Sequence, residues 1–352
     1  MVGLEWFWNS LGLQNNVLLI VCGSATSWII NKLINNREGL HNRITKRIHL
    51  SPFNLCETES YLKHQKIALS HYQIIQLYMV LGGIPHYLKE IKKGESAMQA
   101  VDRICFQKNG LLTNEYDNLY KALFNNSENH EKIVFALASK MKGMTRNELL
   151  EITKLTDGGT FTTTLRELEW CDFVSTSKPF GKKKKETLYR LQDEYSIFYI
   201  KFIRQKGNVN WQQLSSSQTW KSWSGFAFEN SCIKHAKQIK NSLGITGVYT
   251  EVPSFNYKGN DSQNGVQIDL LIDRKDDVIN VCEVKFHDKP FVLTKAYTQD
   301  LKNKIDLFQS YSGSSKTLFP TLISTYGLVP NEYSLGFIQQ EVLMSDLFKS
   351  LN

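Results

Sequence analysis

The clearest hydrophobic pattern in the chain is a pair of strand-like runs near its C-terminal end. Val266 to Asp273 and Val278 to Phe286 are strongly apolar and flank the polar stretch Arg274-Lys275-Asp276-Asp277, which predicts a β-hairpin. Side chains alternate across a strand, so Gln267, Asp269, Leu271 and Asp273 share one face, and Glu283 and Lys285 share a face likewise. Register decides whether the carboxylates meet. If Asp273 opposes Val278, Glu283 points away; an odd-length connection with Asp269 opposite Glu283, or a bulge, brings them together.

The remaining pattern divides the chain into further elements. Val17 to Cys22 reads as a buried strand, and Gly23 to Ser27 as a turn into a helix through about Asn36. Glu57 to Lys92 is helical in period with a break at Leu81-Gly82-Gly83-Ile84-Pro85, and apolar periodicity continues to Phe124. Ile133, Leu137 and Met141 form one helical face, a second helix starts at Thr145, and Gly158-Gly159 precedes a third over Thr160 to Glu169. In that third helix Phe161, Leu165 and Leu168 face inward, leaving Thr162, Thr163 and Arg166 outward. A strand at Phe173 to Ser175, a turn containing Gly181-Lys182-Lys183-Lys184-Lys185 and a strand at Thr187 to Leu191 follow. Beyond them come a helix from Trp223 to about Leu243, a strand over Gly247 to Phe255, the hairpin, a helix over Lys295 to Gln309 and a strand over Thr317 to Thr325.

Ionisable groups inside apolar strands are what give the hairpin chemical interest. An unpaired carboxylate on a half-buried face is costly and usually has a metal or cation partner. Two nearby carboxylates, Asp269 and Glu283, offer hard oxygen ligands to Mg²⁺ or Mn²⁺, and Lys285 beside them can orient water or stabilise charge developing on a phosphoryl group. Glu229 in the preceding helix is a candidate third ligand. Lys295, Gln299 and Lys302 recur at i, i+4 and i+7 and can face the site, or form a solvated surface.

Composition widens the picture only slightly. With 352 residues, net charge +8 and 22% charged residues, the chain is long enough for two or three domains and suits a polyanionic partner. Its six cysteines, at 22, 56, 105, 171, 232 and 282, are dispersed without a Cys-x-x-Cys pair, which points to a reduced, cytoplasmic protein without structural zinc. The uncharged stretch Val17 to Ile30 is too short to span a bilayer, so no membrane partner is expected. Trp211, Trp220, Trp223, Phe226 and Phe228 read as a domain-junction core, with base stacking the alternative.

Phe228-Glu229, the strand bearing Asp269 and the strand bearing Glu283-Val284-Lys285 resemble the PD-(D/E)XK nuclease-like superfamily over residues 215–352. The resemblance implies Asp269 and Glu283 as metal ligands, Lys285 as catalytic lysine and Glu229 as accessory ligand. The three helices and basic β-wing over 127–205 resemble a winged helix, whose outward Thr162, Thr163 and Arg166 and wing residues Lys182, Lys183, Lys184 and Lys185 are candidate DNA contacts. Residues 1–50 resemble the last part of the nucleotide-binding core of archaeal-type AAA+ ATPases, and 51–126 their helical lid. That implies Ser24 as the residue sensing the γ-phosphate and Arg43 as the one serving a neighbouring subunit; helix capping and a surface base are the alternatives.

The chain departs from those ATPases in having no Gly-x-x-x-x-Gly-Lys-Ser/Thr, so ATP is expected to act only if an upstream P-loop segment is supplied. The expected architecture is therefore multidomain, α/β and α: a partial AAA+ core and lid, a winged helix and a nuclease-like α/β domain. The expected function is Mg²⁺-dependent DNA phosphodiester hydrolysis or DNA binding. A non-catalytic DNA- or protein-binding module, or the regulatory half of a split ATPase, is the alternative, with a homo-oligomer or a missing ATPase half as further partners. Deleting one clustered carboxylate is expected to leave stability unchanged or raised, by relieving like-charge repulsion.

Overall fold

A computed structural model describes residues 2–12, 17–23, 44–124, 126–182, 186–205, 211–257, 259 and 265–351. It is a mixed α/β, multidomain architecture. Among the described residues no helix is long and apolar enough to cross a membrane. The six cysteines are free thiols.

The strand expected at Val17 to Cys22 does not form: the segment has no regular structure, and Leu18 and Ile20 are 82% and 77% exposed. A lone apolar run has nothing to pair its backbone with unless neighbouring strands are present, and it pairs with none among the described residues. The helix expected to follow it falls outside the described residues.

Helices α1 (Leu55–His64) and α2 (His71–Leu81) are each capped at the N-terminus by a side chain: Asn54 accepts the Glu57 N–H and Ser70 accepts the Gln73 N–H. Gly82 ends α2 in positive-φ backbone, and Gly83 lies so close to Phe53 that a β-carbon there would overlap Phe53 O. Pro85 opens the short helix Pro85–Leu88. Helix α3 (Glu115–Leu123) buries Tyr116 and Tyr120.

Next comes α4 (Glu128–Ser139), β1 (Met144–Thr145), α5 (Arg146–Thr153), α6 (Gly159–Trp170), β2 (Val174–Ser177) and β3 (Leu188–Leu191). The strands form an antiparallel sheet in the order β1-β3-β2. A capping box joining Thr145 and Glu148 starts α5. Phe161, Thr164, Leu165 and Leu168 are the buried side chains of α6.

Helices α7 (Gln218–Lys234) and α8 (Ala236–Ser242) lead into a second sheet. Its strands are β4 (Thr250–Glu251), β7 (Leu270–Arg274), β8 (Val278–Lys285), β9 (Thr317–Ser324) and β10 (Gln340–Leu343), in the order β10-β9-β8-β7-β4. The β4-β7-β8 pairs are antiparallel, and β9, reached through α9 (Lys295–Ser312), runs parallel to β8. Two sequence expectations need correction. The strand expected over Gly247 to Phe255 is split into β4 and β5 (Phe255–Tyr257), with Pro253 between them; proline lacks the N–H a ladder needs. The run Val266 to Asp273 is likewise two strands, β6 (Val266–Ile268), which pairs with β5, and β7, which pairs with β8.

The sheet is covered on both faces. Leu270, Ile272, Cys282 and Val284 join a core that extends from Leu55 to Phe348 and takes in buried Trp211, Trp220, Trp223 and Phe228, whereas Phe226 is 39% exposed. Leu271, Ile279 and Val281 join a second core with Val266, Ile268 and Phe308 of α9.

Candidate functional site

Asp269 lies at the point where the chain leaves one sheet for the other. In the register observed, Leu270 opposes Cys282 and Asp273 opposes Ile279, so the next position places Asp269 across from Glu283. The cause is local. The connection Lys275-Asp276-Asp277 has three residues, and Asp277 supplies the left-handed conformation (φ 60°) that a three-residue hairpin loop requires. The Arg274 guanidinium donates to Asp276 and braces this turn.

Three donors surround the Glu283 carboxylate. Lys285 Nζ lies 2.8 Å from Oε1, Lys304 Nζ donates to Oε2 at 2.7 Å, and Tyr297 Oη donates to Oε1. Lys285 Nζ also lies 4.9 Å from the centre of the Tyr297 ring. Burial alone would raise the Glu283 pKa, but the two ammonium groups outweigh it and hold the carboxyl below its ordinary value. Asp269 is shifted the other way, raised by burial and by the neighbouring Glu283 charge, even though its Oδ2 accepts the Val284 N–H at 3.0 Å.

Glu229 projects from α7, 7% exposed, and meets a residue from another part of the fold: Arg190 of β3, with Nη1 3.4 Å from Glu229 Oε1 and 3.2 Å from Asn230 Oδ1. Burial pushes the Glu229 pKa up to about 7, with Asp269 adding to the rise and Arg190 and Lys142 opposing it. Cys232 and Cys282, both buried nearby, have thiol pKa values raised by burial and stay protonated.

Three carboxylates thus face three cations: Glu229, Asp269 and Glu283 against Arg190, Lys285 and Lys304. Among the described residues no three His, Cys, Asp or Glu side chains gather closely enough to hold a metal ion. The donor chemistry nevertheless suits a hard divalent cation, since Asp269 and Glu283 offer carboxylate oxygens across one strand pair. Lys285 and Lys304 occupy the Glu283 oxygens with the positive charge such an ion would otherwise supply.

On α9 the solvated-surface alternative holds for the spaced residues, and a different set reaches the site. Lys295, Gln299 and Lys302 are exposed; Gln299 bonds Asn303, and Lys302 lies over the Phe337 ring. The residues that reach Glu283 are Tyr297 and Lys304, which the sequence reading missed. The signal was available: Tyr297, Leu301, Lys304 and Phe308 recur at heptad-like spacing, with one lysine inside an otherwise apolar stripe.

The other expected contacts are scattered. Thr162 and Arg166 are exposed on α6 and Thr163 is half-buried; the Arg166 guanidinium lies over Trp170, and Thr162 Oγ1 accepts from Arg146. Glu167 turns inward to His130 rather than toward solvent. Lys182 is exposed and lies 3.8 Å from Glu186. Lys183, Lys184 and Lys185, together with Ser24 and Arg43, fall outside the described residues.

The chain is 22% identical over 300 residues to a protein of Methanocaldococcus jannaschii described as "Uncharacterized protein MJECL04". The match covers 82% of this chain and 64% of that protein, so the chain spans less than two thirds of its relative's length. No family model matches the chain, and no solved structure matches it.

Proposed function

We propose that the chain is a nuclease-like, DNA-binding protein whose hydrolytic centre is Asp269, Glu283 and Lys285. The observation that carries this reading is the hairpin register, which sets Asp269 opposite Glu283 with Lys285 two residues further along the same strand face. Further support comes from the elements of the second sheet: a helix carrying Glu229 precedes the antiparallel strands β4, β7 and β8, with the β5-β6 pair inserted between β4 and β7, and α9 then leads to β9, parallel to β8. Helix, three strands, helix and strand is the order that the resemblance to the PD-(D/E)XK superfamily implies.

In this reading Asp269 and Glu283 hold Mg²⁺ or Mn²⁺, which when bound neutralises a phosphodiester and lowers the pKa of its water. Lys285, tethered to Glu283 and steadied over Tyr297, places an ammonium beside the reacting phosphate. Lys304 adds a second positive charge from the opposite side of the Glu283 carboxylate. Supercoiled plasmid should be nicked with Mg²⁺ or Mn²⁺, and not with chelator or after Asp269→Ala. Lys285→Ala should lose nicking and keep Mn²⁺ binding. Equal nicking by wild type and Asp269→Ala would discard the catalytic assignment.

A second reading, DNA binding without turnover, is favoured by the fact that both Glu283 oxygens are already engaged by the protein's own donors. It places the affinity in the winged-helix-like unit over 127–205, with α6 and the lysine-rich segment that follows β2 in the sequence as the contacts. Changing Lys182 to Lys185 together to alanine should weaken binding equally for unrelated duplexes. It should also flatten the log-log salt dependence by about 0.9 for each phosphate that is no longer neutralised. An unchanged salt slope would assign these lysines to solubility.

A further inference from the structure

The winged unit is docked on the unit that carries the carboxylates, and Arg190 is the point at which that docking reaches them. Phe180, just beyond β2, packs its ring 5.3 Å from that of Phe308 on α9, and its backbone N–H donates to Ser254 O at 2.8 Å. Ser254 N in turn donates to Lys178 O at 3.1 Å, and the hydroxyls of Ser177 and Ser254 lie 3.2 Å apart. These contacts hold the β2-β3 ribbon against Ser254, in the connection between β4 and β5, and against α9, with Arg190 of β3 directed at α7. Asn230, 6% exposed, accepts from Arg190 through Oδ1, and its buried Nδ2 has no hydrogen-bond partner.

A guanidinium held between Glu229 and Asn230 occupies the one acidic side chain of the cluster that does not come from the hairpin. As long as it stays there, Glu229 is engaged by Arg190, and Asp269 and Glu283 remain two carboxylates without a third.

We propose that Arg190 is a positioning residue of this site contributed by the wing: with the wing docked it withholds Glu229, and undocking frees Glu229 to act with Asp269 and Glu283 on a divalent cation. The inference rests on the nuclease-like reading of those carboxylates, and it makes the observed arrangement the closed state of the site.

The Ser177→Cys, Ser254→Cys double variant tests this, because cysteines at hydroxyls 3.2 Å apart are within reach of a disulfide that pins the wing. Mn²⁺ binding is read by calorimetry on the oxidised protein, on the same protein after dithiothreitol, and on Phe180→Ala, which loosens the wing without touching a carboxylate. Pinning should weaken Mn²⁺ binding by about tenfold or more, reduction should restore it, and Phe180→Ala should bind at least as well as wild type. Arg190→Ala in the pinned protein should recover most of the lost affinity. If that variant fails to fold, Arg190→Gln, which keeps a donor for Asn230, provides the same reading.

Equal Mn²⁺ affinity in pinned and reduced protein, or no Mn²⁺ binding in any form, overturns the proposal. If wild type nicks DNA and pinning changes neither affinity nor nicking, the wing proposal falls and the nuclease reading stands. If pinning abolishes Mn²⁺ binding but no form nicks DNA, the proposal stands and the nuclease reading falls.

Discussion

Glu283→Ala is expected to destabilise the fold by about 3 kcal/mol, the usual consequence of removing one partner from a buried ion pair, while Asp269→Asn is expected to be neutral or stabilising. From sequence, both carboxylates looked alike, and removal of either was expected to relieve repulsion. The surroundings separate them. Glu283 balances Lys285 and Lys304 and accepts the Tyr297 hydroxyl, so alanine would leave two ammonium groups and a phenol facing one another in a largely buried space. Asp269 has a single backbone donor, Val284 N–H, which an asparagine oxygen can still serve, and its charge is disfavoured by burial and by Glu283. Both variants should lose Mn²⁺ binding. Urea unfolding midpoints measured side by side decide the matter; similar midpoints for the two variants would mean that Glu283 is not the anchor of this charge network.

Glu229 should make stability depend on pH in the direction opposite to an ordinary salt-bridged carboxylate. Its folded-state pKa of about 7 lies above the ordinary 4.5, so the folded protein binds an extra proton between those values. That contribution is fully present below pH 4.5 and is lost as pH rises through 7. Glu229→Gln carries a permanently neutral group and escapes the loss. The variant should therefore gain on wild type by about 2 to 3 kcal/mol between about pH 5 and about pH 8, the gain rising steadily to about pH 7 and levelling off above it. A gap that stays constant across this range, or that closes as pH rises, would show that Arg190 keeps Glu229 ionised throughout.

How the site is put together marks the boundary between what can and cannot be read from a sequence. Carboxylates and a lysine in strongly apolar strands identified Asp269, Glu283 and Lys285 as chemically unusual without any knowledge of the fold, because an ionised group on a buried face requires a partner. Lys304 and Tyr297 escaped notice because the inward face of α9 is set by the packing of Leu301 and Phe308, and the spacing of Lys295, Gln299 and Lys302 left open whether they face the site or solvent. Val17 to Cys22 shows the converse error, a run with strand-forming composition that pairs with no strand among the described residues.

By itself the sequence determined the local terms: where apolar period changes from two to nearly four, where Gly82-Gly83 and Pro85 break a helix, and which ionisable groups sit among apolar neighbours. Those properties depend on residues within a turn or two of each other. Tertiary structure alone decided the partners. The left-handed Asp277 turned two permitted registers into the one that faces Asp269 toward Glu283, and packing across the chain brought Lys304 to Glu283 and Arg190 to Glu229. Partner choice escapes a sequence reading because many lysines and arginines could neutralise a given carboxylate, and only the docking of whole elements selects among them.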